Sequence, residues 1–199
     1  TDAKPAGGEF PETVILGARP CDAAGMASLR SVFTWQGEED PLFLERLART
    51  TIVTLACVRG DACCFCTSVG LAPDAPAGSD LLLRETVAGH FSVEAVTDKG
   101  TQLLARWAPF FEEGAEALRP VVPPPVIERS NVEKMLGWLS DPANYTHDVW
   151  TEHAAQCLGC GACTYVCPTC HCFDLTDEGT AYQGDRRKNW DACQFDHFA

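Results

Sequence analysis

The sequence predicts an α+β fold, a small α/β layer domain followed by a second, helical one, and three observations carry that expectation. Two apolar runs of strand length, Val14–Ala18 and Thr51–Cys57, are separated by two stretches with helical spacing. Pro120, Pro123, Pro124 and Pro125 crowd the stretch after Arg119, where no helix can form. Beyond them the apolar residues thin out and cysteines concentrate, so something other than a hydrophobic core must organise the second part. The expected boundaries are an α/β domain over 1–118, an extended linker over 119–127 and the cysteine-rich domain over 128–199.

Taken in order, 1–11 is polar and rich in Gly and Pro, and reads as a loose lead-in. Val14-Ile15-Leu16-Gly17-Ala18 is expected as a buried strand. A helix should follow from about Ala23 to Phe33, with Met26, Leu29, Val32 and Phe33 on its apolar side. Asp40 and Pro41 are the N-cap and first residue of a second helix running to Arg49. Thr51–Cys57 is the clearest strand, being rich in β-branched residues, and it delivers Cys57 at its end. Leu81–Arg84 and His90–Thr97 read as two strands around a turn at Ala88-Gly89. Lys99–Leu118 reads as a long amphipathic helix, with Leu103, Leu104, Trp107, Phe110 and Phe111 on one side. After the prolines, Glu128–Ser140 and His147–Cys157 read as short helices, and Asp174–Asn189 as polar and rich in turns.

Composition narrows the function. With 199 residues, 46% of them hydrophobic, the chain can build a core, and its net charge of −13 argues against nucleic acid or an anionic membrane as partner. No apolar run approaches the ~20 residues of a spanning helix. The 12 cysteines, with no signal segment before them, favour metal in the reducing cytoplasm over disulfides. Thr1 in place of Met and the stop at Ala199, just after a cysteine-bearing stretch, lead us to expect a piece of a longer polypeptide.

The strongest motif is Cys157-Leu-Gly-Cys160-Gly-Ala-Cys163-Thr-Tyr-Val-Cys167-Pro168. This is the C-x2-C-x2-C-x3-C-P run of bacterial ferredoxins, whose thiolates hold a cubane iron–sulfur cluster, so the second domain is expected to be ferredoxin-like. Cysteines three apart let a tight loop wrap one face of a cube, and Gly159 and Gly161 can take the positive φ that such a loop needs. In two-cluster ferredoxins the fourth cysteine of the run serves the other cluster, which makes Cys167 a ligand that reaches past the first three. A zinc-stabilised interaction module is the competing reading, but zinc ribbons use two Cys-x2-Cys pairs around a longer loop.

A second constellation lies in the first domain. Cys21 follows one predicted strand and Cys57 ends the other. If the strands are parallel neighbours, both thiols emerge at the sheet end where open α/β sheets build their sites. The loop bearing Cys64-Phe65-Cys66 begins directly after Cys57, so Cys21, Cys57, Cys64 and Cys66 are the expected ligands of one cluster. Cys63, next to Cys64, should point elsewhere.

Several longer motifs then identify a family. Gly17-Ala18-Arg19-Pro20-Cys21-Asp22 resembles a G-x-R-P-C-D segment, and Cys64-Phe65-Cys66-Thr67-Ser68-Val69-Gly70 resembles C-F-C-x-S-x-G. Gly78-Ser79-Asp80-Leu81-Leu82-Leu83 is similar to G-x-D-L-x-L. Pro168-Thr169-Cys170-His171-Cys172-Phe173 and Trp190-Asp191-Ala192-Cys193 complete a C-P-T-C-x-C-F and W-D-x-C pattern. Together these resemble the iron–sulfur beta subunits of cytoplasmic nickel–iron hydrogenases (sulfhydrogenases) and the electron-transfer subunit of anaerobic sulfite reductase, proteins with a 4Fe-4S dicluster domain. The resemblance implies an anaerobic electron-transfer subunit with two or three 4Fe-4S clusters, working between the catalytic and flavin subunits of a hydrogenase. It also implies a further C-x2-C-x2-C-x3-C-P run downstream of Cys193. Two ligand sets stay open: either that run completes the site of Cys157, Cys160 and Cys163, or Cys167, Cys170, Cys172 and Cys193 form a self-contained site. Deazaflavin-reducing hydrogenase subunits share a related architecture, but the sequence shows no mark of a flavin pocket.

Other chemistry is poorly supported. There is no G-x-G-x-x-G fingerprint and no P-loop. His147 and His153, six apart, do not share a helix face. His171 among the cysteines could hydrogen-bond a cluster or simply be exposed, and Asp22 and Arg19 could support Cys21 or only shape a turn. With no nucleophile–base pair in view, the expected role is electron transfer without bond chemistry at the protein.

Overall fold

The computed structural model describes residues 10–126 and 128–193. The lead-in therefore lies outside the described residues except at Phe10 and Pro11, as do linker residue 127 and the final stretch 194–199 of the expected second domain. The chain divides into two compact units, 1–128 and 129–199.

The first unit runs β1 (Thr13–Ala18), α1 (Pro20–Phe33), α2 (Pro41–Ala48), β2 (Thr50–Leu55), β3 (Leu81–Glu85), β4 (Phe91–Ala95) and α3 (Asp98–Arg106). Its sheet has the order β1-β2-β3-β4. β1 and β3 flank β2 in parallel, with Ile15 opposite Ile52 and Val53 opposite Leu81, and β4 closes the sheet antiparallel to β3. The β-branched run of β2 is central, and Ile52, Val53, Leu81, Leu82, Ala23 and Ala56 form the buried apolar core. Polar groups inside it are satisfied. The Ser79 hydroxyl donates to that of Thr54 at 2.7 Å. Buried Asp80 accepts the Ile52 N–H at 2.9 Å and the Thr97 hydroxyl at 2.6 Å, so one carboxylate ties β2 to the N-cap of α3.

Three elements differ from expectation. β1 is an exposed edge strand, with Leu16 75% exposed, because α1 and α2 pack on β2. α1 starts at Pro20, ahead of the expected Ala23, because Pro20 suits the first helical turn and the Asp22 carboxylate accepts the Arg19 N–H at 3.0 Å. Cys21 thereby lies inside the helix. The expected long helix over Lys99–Leu118 stops at Arg106. Pro109 cannot continue it, and the chain makes one 3-10 turn, Ala108–Phe110, before returning alongside the sheet. There Val87 donates to Ala117 O at 2.9 Å and Arg119 to Glu85 O at 2.8 Å. The prolines that follow are held along this unit too. Val122 donates to Val58 O and Gly60 to Val122 O, both at 2.9 Å, and Pro124 packs so closely on Gly60 that a Cβ there would lie 2.6 Å away. By contrast α2 matches its reading, the Asp40 carboxylate accepting the Leu42 and Phe43 N–H groups at 2.9 and 3.0 Å.

The second unit contains α4 (Arg129–Leu139), α5 (Asp148–Ala154), α6 (Ala162–Tyr165), β5 (Phe173–Gly179) and β6 (Gly184–Trp190). Trp138 and Trp150 meet at 5.7 Å between ring centroids, and the Trp150 indole N–H donates to Asn144 O. This unit is not purely helical, which corrects the expectation. The polar stretch Asp174–Asn189 is an antiparallel hairpin, with Phe173 opposite Trp190 and Asp177 opposite Arg186. Its register is marked by charge: Arg186 bonds Asp177 through two contacts of 2.7 Å, and Arg187 reaches Glu178 at 3.2 Å.

Candidate metal centres

The parallel pairing of β1 and β2 sets the first centre. Ala18 pairs with Thr54, and Cys21 and Cys57 each stand three residues further along, at the same end of the sheet. The Cys57 N–H is anchored on Pro73 O at 2.8 Å. Burial pushes the Cys21 thiol up from its ordinary value, the Asp22 charge adds to this, and Cys57 is near enough to contribute in the same direction. Asp22 therefore does two things: it closes the start of α1 and it faces the Cys21 sulfur, at 3.9 Å.

The loop after β2 is folded around Asp61. Its carboxylate accepts the N–H groups of Cys63 at 2.8 Å and Cys64 at 2.9 Å, while its own N–H donates to the Cys64 sulfur at 3.4 Å. That N–H bond pulls the Cys64 thiol down, but the Asp61 side chain, partial burial, and the charges of Asp61 and Cys66 outweigh it and leave the thiol raised. Cys66 opens a 3-10 turn, Cys66–Val69, which ends at Gly70 with φ 80°. Cys63 is exposed, whereas Cys64 and Cys66 are half-buried. Thr67, directly after Cys66, has a buried hydroxyl with no hydrogen-bond partner among the described residues.

The second set begins where α5 ends. Cys157 donates its N–H to Ala154 O at 2.9 Å, and the Gly159 N–H points back to the Cys157 sulfur at 3.4 Å. Gly159 and Gly161 have φ of 63° and 72°, the positive values that the motif requires. Cys163 lies in the first turn of α6, and Thr164 donates to Gly161 O at 2.9 Å. The Cys167 thiol is pulled below its ordinary value by the Thr169 hydroxyl, 3.3 Å away, and then by the N–H groups of Thr169 and Cys170. His171 turns its Nδ1 to Thr169 O, a backbone contact at 2.9 Å. The hairpin brings its two ends together: the Asp191 N–H donates to Cys172 O at 3.1 Å, which sets Cys193 near the start of β5.

Cys157, Cys160, Cys163, Cys167 and Cys193 are exposed, Cys170 and Cys172 are half-buried, and none of the twelve cysteines is in a disulfide. Among the described residues no three His, Cys, Asp or Glu side chains gather closely enough to hold a single metal ion. A cubane makes a different demand, because each thiolate binds its own iron at a separate corner. The donor set suits that group. The thiols stand on turns whose N–H and hydroxyl groups aim at sulfur, and the Thr67 hydroxyl lacks an acceptor, an omission worth ~1–3 kcal/mol when buried. Sequence reasoning passed over Asp61, Thr67 and Thr169. The signal for Asp61 was there, since an aspartate two and three residues before the N–H groups it accepts is an Asx-turn pattern.

Comparison with known proteins follows the same lines. Residues 156–199 match the 4Fe-4S dicluster domain family. The chain is 31% identical over 195 residues to sulfhydrogenase 2 subunit beta of Pyrococcus furiosus, a match covering 90% of this chain and 54% of that protein. The chain thus spans about half the length of this curated relative. No solved structure matches it significantly.

Proposed function

This chain belongs with the iron–sulfur beta subunits of hydrogenases, and we propose that it relays electrons between the catalytic and flavin subunits of such a complex. One observation carries the reading: the parallel β1–β2 pair delivers Cys21 and Cys57 to one sheet end, directly before the loop of Cys64 and Cys66. These four would hold one 4Fe-4S cluster. Cys157, Cys160, Cys163 and Cys167 would serve the clusters of the dicluster domain, with Cys170, Cys172 and Cys193 as further ligands, giving two or three clusters in all. Bound clusters supply one-electron redox chemistry within the range of about −700 to +450 mV.

The protein's own work is to hold thiolates, give hydrogen bonds to sulfur and set the local charge. The N–H groups of Asp61 and Gly159 and the hydroxyl of Thr169 do the second, and the acidity of the chain contributes to the third. Twelve cysteines without a disulfide suit a reducing cytoplasm. Among the described residues no helix is long and apolar enough to cross a membrane. Iron and acid-labile sulfide analysis with a visible spectrum tests the reading. Broad cluster absorption that bleaches on reduction, with iron and sulfide in equal amounts, is expected, and zinc alone would overturn it. Flavin bands from the isolated chain would move the flavin into this subunit.

A further inference from the structure

We propose that Asp61 is a positioning residue for the first cluster: it fixes the Cys64 thiolate and sets the charge beside it. The inference rests on the reading of Cys64 as a ligand. Cys63 and Cys64 are adjacent, so chain spacing alone does not decide which thiol faces a cluster. Asp61 does. One of its carboxylate oxygens accepts both neighbouring N–H groups, at 2.8 and 2.9 Å, which closes the backbone into a tight turn. The Asp61 N–H then points at the sulfur of Cys64, at 3.4 Å. Cys63 is left exposed and Cys64 is turned inward.

Two opposed effects follow from this one residue. An N–H bond to a ligating sulfur spreads its negative charge and favours the reduced cluster, raising the potential. The carboxylate brings a negative charge to the same sulfur and disfavours the added electron, lowering the potential. The two can be separated by substitution. Asp61→Asn keeps an oxygen that accepts the Cys63 and Cys64 N–H groups and removes the charge. Asp61→Ala removes the acceptor as well and frees the turn.

The full chain reconstituted with iron and sulfide is the material, with Cys64→Ser as reference. The readouts are iron bound per chain, the rate of iron loss to a chelator, and the midpoint potential of the signal that Cys64→Ser abolishes. Asp61→Ala is expected to lose iron from that cluster about tenfold faster than the parent, as a lost pair of charge-assisted bonds implies. Asp61→Asn should hold its iron and shift the midpoint to a more positive value, which a purely structural role would not do. If Cys64→Ser loses iron while both Asp61 variants match the parent in retention and potential, the inference falls and the ligand reading stands. If Cys64→Ser keeps all its iron, both fall.

Discussion

At the scale of single residues, the neighbouring pair Cys63 and Cys64 separates a ligand from a bystander. Both N–H groups go to Asp61, but only the Cys64 sulfur receives an N–H in return, and Cys63 is the more exposed. Cys64→Ser is therefore expected to lower bound iron by one cluster, roughly four atoms per chain, with Cys63→Ser unchanged. Iron analysis on the two purified variants decides it, and equal losses would defeat the assignment. The thiols themselves were legible in the sequence, because spacing and Cys-Pro or Cys-Phe-Cys context announce them. Their supporting groups were not. Asp61, Thr67 and Thr169 are ordinary loop residues until the backbone bends, and the bending depends on hydrogen bonds that no spacing rule records.

At the scale of elements, legibility followed burial and capping. β2 and α2 were readable because a β-branched run and an Asp-Pro cap each have one local solution. The hairpin β5–β6 was not, since its faces carry charged pairs more than apolar alternation and both strands are largely exposed. The early end of α3 went unread because an apolar stripe masked Pro109, whose missing N–H outweighs it. The segment released by that break is fastened to the sheet in part by charge, and pH should expose the fastening. His90 Nδ1 lies 2.9 Å from Glu116 Oε1, and the carboxylate raises the imidazole above its ordinary 6.5. Glu116 is lowered from 4.5, first by the Thr86 hydroxyl and then by His90. A raised histidine stabilises the fold fully below its unfolded pKa and loses this as pH rises through the folded value; a lowered glutamate stabilises above its unfolded pKa and loses this as pH falls through the folded one. Both contributions are present together between about pH 4.5 and 6.5. His90→Gln should thus lower the melting temperature at about pH 5.5 and leave it nearly unchanged at about pH 9. A loss that is the same at both values would show that the contact is not charge-dependent.

At the scale of the whole molecule, the two units rest on different physics. Ala23, Ile52, Val53, Ala56, Leu81 and Leu82 give the first a buried apolar centre, while Ala192 is the one fully buried apolar side chain among the described residues of the second. Apolar area left open asks for a partner: Trp150 and Trp190 are 43% and 55% exposed, as are Leu16 and Ile15 on the edge strand at 75% and 40%. Acidity alone does not dock a partner, since exposed charge is screened beyond roughly 8 Å at physiological salt. Native purification should therefore yield an assembly larger than the chain by size measurement, and a monomer active as a free mediator would contradict the proposed role. The thin core of the second unit leads to the sharper expectation. α4 is 11 residues long, and isolated helices shorter than ~12–15 residues are marginal in water. Two-stranded hairpins are likewise marginal alone. The aromatic contact of Trp138 with Trp150 adds only about 0.5–1.5 kcal/mol beyond its burial. Ligation by the cysteines after α5 must then supply most of the folding free energy, as structural metal does in small domains at about 10–16 kcal/mol. Oxidative removal of the clusters should release the amides of Leu136 and Trp138 to rapid hydrogen exchange, while Val53, on the central strand, keeps its protection. If the amides around Leu136 remain as slow as Val53 in the cluster-free chain, the second unit has an organiser other than its cysteines.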